Sequence, residues 1–346
     1  MRRISPTLVH SLPKCDLHVH LDGSVRVGTI RDAANKMGVR LPTRNLKELA
    51  RYVQAPPDCR SLSDFLKAFE IFYPVLKDPE ILERISYELC EDASKENIRY
   101  MEVRFAPVLQ AREGFPMEEV VKSVLKGLKR GERDFKIRAL LLLCCYRSEP
   151  PTTSIETVNL ALKYREEGVV GIDLAGDEAH FPVGERKKAF LIAKKNNLPA
   201  TIHAGEAGGA KNIRFALEVL GARRIGHGVR LKEDYKLLEK VKRERIPLEM
   251  CLTSNVQTQV VKEYDLHPFK EYYDLGIPVT INTDDRSISN VTLTSEIIKA
   301  IEYYQLSLED IKKITLTGIE YAFITEKERE DLKKKFEKEF QELGID

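Results

Sequence analysis

His18 and His20 stand two positions apart near the start of the chain, in the run KCDLHVHLDGS at positions 14–24. In a β-strand, side chains at i and i+2 share a face, so both imidazoles point the same way at the strand's carboxyl end. Two nitrogen donors placed like this are half of a metal site. Taken alone, the pair also fits histidines satisfied within a core, so the metal reading depends on further ligands arriving from other strand ends.

Those ligands are present in the sequence. His203 and Asp284 close two other predicted strands and, with His18 and His20, supply three nitrogens and one oxygen. That donor set suits zinc with a position left for water, and water so held is acidified to a pKa on the order of 7, giving hydroxide without a serine or cysteine nucleophile. Glu206 follows His203 by three residues in HAGEAGG. A carboxyl group near the metal but not required as a ligand suits general acid–base work, the plainer alternative being a carboxylate favoured by a helix N-terminus. His227, between two glycines in GHG, is either a further ligand or a group that orients the hydroxide, and orientation is favoured because the ligand set is already complete. Asp285 sits beside Asp284; strand alternation turns one of the two elsewhere, where a second carboxylate accepts a hydrogen bond from a substrate N–H. His10, His180 and His267 fall in predicted loops or tails and receive no role.

Positioning such residues requires many strand ends facing one place. From Pro79 onward the chain alternates helical stretches with short apolar runs: IRYMEVRF, KIRALLLLCC, VVGIDLAG, LPATIHAGE, ARRIGHG, IPLEMCLTSN and IPVTINTDD. Counting the strand at 14–20, eight strands separated by helical segments predict an α/β fold, a single (β/α)8 TIM-type barrel with an outer ring of helices. The active site of such a barrel lies at the carboxyl ends of its strands, where four of the seven histidines fall. Residues 25–78 form a helical insertion after the first strand. Within it Leu62, Phe65, Leu66 and Phe69 recur at helical spacing behind Ser61 or Ser63 as a cap, either as a stripe packed on the core or as a lid over a pocket. Residues 322–346 form a charged helix with a solvated face, and the whole of 1–346 is expected to be one domain.

Composition narrows the function. With 56 basic and 54 acidic residues the net charge of +2 leaves no footprint for a nucleic-acid or membrane-surface partner. Six cysteines without a CxxC pair fit a reduced cytoplasmic protein, and no uncharged apolar stretch approaches the roughly 18 residues that span a membrane.

Six motifs in order, HVHLDG (18–23), DLAGDE (173–178), HAGE (203–206), GHG (226–228), CLTSN (251–255) and NTDD (282–285), resemble the adenosine deaminase family of metal-dependent amidohydrolases. The resemblance implies that His18, His20, His203 and Asp284 bind one zinc ion per chain, and that Glu206 protonates N1 of a purine while zinc hydroxide attacks C6. It makes His227 the residue that polarises the hydroxide. His20, Asp22, Gly176 and Asp285 are implied around the substrate, with Asp22 on a ribose hydroxyl, the Gly176 backbone at N3 and Asp285 at N7. Leu62, Phe65 and Phe69 become an apolar gate, which favours the lid. The implied reaction is hydrolysis of adenosine and 2′-deoxyadenosine to inosine, 2′-deoxyinosine and ammonia in purine salvage. Another aminopurine is the alternative substrate: adenine, a nucleotide, or a 5′- or N6-modified adenosine. The sequence departs from the pattern at Leu252 and Arg286, where proline is more usual, and Arg286 is expected as a cation at the mouth that favours an anionic substituent. A barrel that binds metal without catalysis would lack a proton-transfer group such as Glu206. A cytidine-deaminase-type site is excluded by the absence of PCxxC, and nucleophile elbows and phosphate loops by the absence of GxSxG and GxxxxGK[ST].

Overall fold

Each predicted strand has a counterpart in the computed structural model, which describes residues 4–181 and 183–345. The strands are β1 (Lys14–His20), β2 (Ile98–Phe105), β3 (Arg138–Tyr146), β4 (Val169–Ala175), β5 (Thr201–Ala204), β6 (Arg224–His227), β7 (Leu248–Met250) and β8 (Val279–Ile281). They pair in parallel as two four-stranded sheets, β1–β4 and β5–β8. Single parallel bridges, Ile172 with Ala200 and Val19 with Asp284, join the sheets at both seams, so the strands follow one another in closed (β/α)8 order. At the second seam the His20 N–H donates to the Asp284 carbonyl and the Asp284 N–H to the His18 carbonyl, both at 2.8 Å.

Parallel strands in a barrel are covered on both faces, which is why β3 reads as an almost unbroken apolar run. The barrel interior is not wholly apolar. Glu102, Arg104, Asp173, Arg224 and Glu249 lie fully buried within it. Arg104 reaches Asp173 at 2.9 Å and Glu249 at 2.8 Å, while Arg224 reaches Glu249 at 2.6 Å and also pairs with Glu102. Buried charges persist only when paired like this, and the pairing pins the strands in register beneath the site.

Local chemistry starts and ends the outer helices. Pro79–Lys95 begins at Asp78, whose side chain accepts from the N–H groups of Glu80 and Ile81. Pro151–Lys163 starts at Pro150 with no side-chain cap, and its following turn ends at Gly168. Two helices lie where the sequence reading placed none: Leu293–Tyr304 and Leu308–Glu320, each with a capping box, Thr292 with Ser295 and Ser307 with Asp310. Seventh in the series, the predicted IPLEMCLTSN strand is shorter than expected, because residues from Leu252 to Gln257 turn helical.

The insertion holds helices Val27–Met37 and Leu46–Val53 before the lid segment. The lid is α-helical only over Leu62–Leu66 and then tightens into 3-10 turns at Lys67–Ile71 and Tyr73–Val75; Ser61, not Ser63, is its cap. The final helix, Glu326–Glu342, buries Phe336 and Phe340 and is tied to the barrel by Arg138–Glu328 and Arg99–Glu339 pairs at 2.7 and 3.0 Å, so its charged face is only partly solvated. Residues 1–3, 182 and 346 of the expected 1–346 span lie outside the described residues. Among the described residues no helix is long and apolar enough to cross a membrane.

Candidate active site

The four expected ligands meet at the carboxyl end of the barrel. Nε2 of His203 lies 3.0 Å from Nε2 of His18 and 3.2 Å from Nε2 of His20, and Oδ1 of Asp284 lies 3.3 Å from each of the latter two. Donors at about 2.0–2.2 Å from a zinc ion in tetrahedral array stand about 3.3 Å apart, so these separations fit. Proton bookkeeping agrees. Nδ1 of His18 is 2.9 Å from Glu249 and Nδ1 of His203 is 2.8 Å from Asp173, both buried carboxylates. Each holds the ring proton on Nδ1 and leaves the Nε2 lone pair aimed at the cluster, as metal-binding imidazoles require. Arg104, Asp173, Glu249 and Thr201, which donates to Glu249 at 2.9 Å, form the layer beneath the ligands. Asp284 and His227 adopt left-handed backbone conformations, φ 58° and 62°, uncommon for side-chain-bearing residues and held here by the surrounding structure. The turn at Asp284 breaks strand alternation, so Asp285 faces the same cavity as Asp284 rather than elsewhere.

Glu206 is buried against this cluster. Its Oε2 lies 3.7 Å from Nε2 of His227, while Asn255 and Thr258 reach its Oε1 at 3.5 Å. Burial, then the charges of Asp284 and Glu178, push its carboxyl well above the ordinary range, so the neutral, proton-bearing form is favoured. The next helix starts at Ala210, so Glu206 is not a carboxylate of its first turn. Asp285 is raised for the same reasons, burial first and then Asp284 and Asp22. His227 is pushed well below the ordinary histidine range by burial. Glu178 holds the Glu206 turn in place: its carboxylate accepts from the N–H groups of Gly205, Glu206 and Gly208 and from the Asn212 amide, at 2.8–2.9 Å.

A cleft of about 550 Å³, partly open to solvent, lies over the cluster and is lined by His20, Asp22, Gly176, Glu206, His227 and Asp285 together with Leu62, Phe65 and Phe69. Apart from Arg286, the residues expected at the site are therefore brought to one cavity or its floor. Asp22 is buried, accepts a long 3.4 Å hydrogen bond from Gln110, and has its carboxyl raised to about 6 by burial. Oδ1 of Asp22 and Oδ1 of Asp285 have no hydrogen-bond partner among the described residues, which leaves two polar atoms for a ligand. Gly23 allows the close approach of Asp285, whose Oδ1 would lie 1.7 Å from a Cβ added there. Gly176 has φ 102°, and an added Cβ would press on the Tyr146 ring at 3.1 Å.

Arg286 does not serve the cleft. Its guanidinium pairs with Glu96, both nearly buried, and it lines a separate surface groove. The expectation of a free cation at the mouth fails because Glu96, distant in sequence, returns from the end of a neighbouring helix to neutralise it. The sequence reading also missed Asp173 and Glu249 as partners of the ligands, and Glu178 as the clamp of the HAGE turn. The clearest available signal was a charged residue inside an otherwise apolar strand, as in the LEM of β7.

The sequence model of the Adenosine deaminase family matches residues 13–339. The chain is 43% identical over 323 residues to an adenosine deaminase of Clostridium botulinum (strain Okra / Type B1), covering 93% of this chain and 96% of that one. It is 40% identical over 334 residues to an adenosine deaminase of Clostridium kluyveri, covering 96% and 95%. Among solved structures, the apo N6-methyl-AMP deaminase of Arabidopsis thaliana superposes with TM-score 0.85 at 30% identity, covering 96% of this chain and 98% of that chain.

Proposed function

The chain belongs to the adenosine deaminase family, and from that premise we propose that it hydrolyses adenosine and 2′-deoxyadenosine to inosine, 2′-deoxyinosine and ammonia, using one zinc ion held by His18, His20, His203 and Asp284. It is a hydrolase of a non-peptide C–N bond. The observation that carries the reading is the convergence of four inward-facing donors beside a buried carboxyl group, Glu206. A zinc ion bound there supplies a water acidified to a pKa on the order of 7, and so a nucleophile at neutral pH.

The chain's own residues do the rest. Glu206 donates its proton to N1 of the purine, which draws electrons from C6 and makes it open to attack by water. His227, whose Nε2 lies 3.7 Å from Glu206 Oε2, orients the incoming oxygen. As C6 gains oxygen its amino group leaves as ammonia, carrying one of the attacking water's two protons; the other replaces the proton that Glu206 gave to N1. N7 of the purine bears no hydrogen, so Asp285, raised by burial, donates there rather than accepts, the reverse of the direction read from sequence. Asp22 takes a ribose hydroxyl on its unpartnered oxygen, the Gly176 backbone faces N3, and Leu62, Phe65 and Phe69 close over the base and exclude water.

Two features favour a nucleoside over its rivals. Among the described residues no lysine or arginine lines the cleft, and Arg286 is committed to Glu96, so a phosphate finds no cationic partner among those lining residues. Asp22 has no role for free adenine. Six buried, unpaired cysteines support a reducing cytoplasmic setting, with purine salvage as the role. The test is ultraviolet-monitored conversion by zinc-loaded protein of adenosine, with adenine, AMP and N6-methyladenosine alongside. Preferential turnover of adenosine is expected; preference for any of the other three overturns the substrate assignment.

A further inference from the structure

A chain of hydrogen bonds runs from a histidine outside the cleft to His227, and its direction is fixed at the far end by a group that cannot be reversed. The backbone N–H of Phe269 donates to Nδ1 of His267 at 3.1 Å, so Nδ1 carries a lone pair. His267 is buried, and burial lowers its pKa to about 3, so the ring is neutral and its one proton sits on Nε2. Nε2 lies 3.2 Å from Asn255 Oδ1 and donates to it. That settles which end of the fully buried Asn255 amide is oxygen, and Nδ2 then faces Nδ1 of His227 at 3.1 Å. An amide nitrogen only donates, so Nδ1 of His227 accepts and the His227 proton lies on Nε2. That proton points to Glu206 Oε2 at 3.7 Å and Asp284 Oδ2 at 4.0 Å, where the reacting water must arrive.

We infer that His267, which reaches the site only through Asn255, fixes His227 as the Nε2–H tautomer and is a positioning residue for the reaction. Without it the Asn255 amide is free to turn, present its oxygen to His227 and draw the proton to Nδ1, leaving a lone pair where a donor is needed. The catalytic consequence rests on the role proposed above for His227; the proton map does not.

The test combines side-chain nitrogen NMR of histidine-labelled, zinc-loaded protein with kinetics on adenosine. In the native protein His227 and His267 both read as Nε2–H tautomers. His267→Leu is expected to shift His227 toward Nδ1–H and lower kcat on the order of 10- to 100-fold, with KM and zinc content little changed. Asn255→Asp, whose carboxylate can only accept, is expected to do the same. Glutamine at this position can accept from Phe269 and donate to Asn255, so His267→Gln should restore both the tautomer and most of kcat. Should His267→Leu fail to fold, His267→Gln against Asn255→Asp gives the same comparison. An Nδ1–H tautomer at His227 in the native protein, or an unchanged tautomer in Asn255→Asp, overturns the inference. Failure of the native protein to turn over adenosine would remove the substrate assignment while leaving the tautomer comparison decisive.

Discussion

Replacing Glu178 by glutamine should damage stability and catalysis together. In the native protein one carboxylate oxygen accepts from Gly205 N–H and the Asn212 amide, and the other from Glu206 N–H and Gly208 N–H, all at 2.8–2.9 Å. Glutamine is nearly isosteric but keeps one acceptor oxygen, so in either orientation its amino group confronts two N–H donors. Two hydrogen bonds to a charged group, each about 1.5–3 kcal/mol, are then lost. The gross loss is about 3–6 kcal/mol; relief from burying a charge and rotation of the Asn212 amide return part of it, leaving about 2–4 kcal/mol. Because Glu206 rides on the same turn, a displacement approaching 1 Å at its carboxyl should also lower kcat by roughly 100-fold. Urea titration followed by tryptophan-free probes such as far-ultraviolet circular dichroism, with adenosine turnover alongside, reads both. Stability within about 0.5 kcal/mol of the native protein together with unchanged kcat would refute the clamp.

Asp173→Asn should weaken zinc binding by roughly 10- to 100-fold, because it removes the carboxylate that holds the His203 proton on Nδ1. Competition with a zinc chelator measures this, and native affinity in the variant would contradict it. The Asp22 carboxyl, raised to about 6 by burial, is protonated below that pH and ionised above it. An ionised carboxylate is the better acceptor for a ribose hydroxyl, so KM for adenosine should fall as pH rises from 5 to 7, with midpoint near 6. A flat KM over that interval, or the same slope in Asp22→Asn, would count against the assignment.

The barrel was legible because both faces of its strands are covered, so each appears as a short apolar run bounded by polar turns. The reactive side chains were legible because they follow those runs at the strand ends. Other features depend on contacts the sequence does not display. Arg104 and Glu249 meet only once β2 and β7 are brought across the barrel, 145 positions apart, so neither charge displays its partner in the sequence. Arg286 looked free because Glu96 lies 190 positions earlier. His267 sits after a 3-10 turn, Tyr264–Leu266, and resembled an ordinary loop histidine until folding set it against Asn255. Alternation misplaced Asp285 because a left-handed Asp284 turns the chain immediately before it.

The proposed role of Glu206 as a proton donor beside a single zinc ion is tested directly by Glu206→Gln. Glutamine preserves shape and replaces a carboxyl that burial pushes well above the ordinary range, so fold and metal site should survive. Measured on one preparation, the variant is expected to retain one zinc per chain by elemental analysis while inosine formation from adenosine is abolished. Turnover close to that of the native protein, with zinc fully bound, would contradict the mechanism.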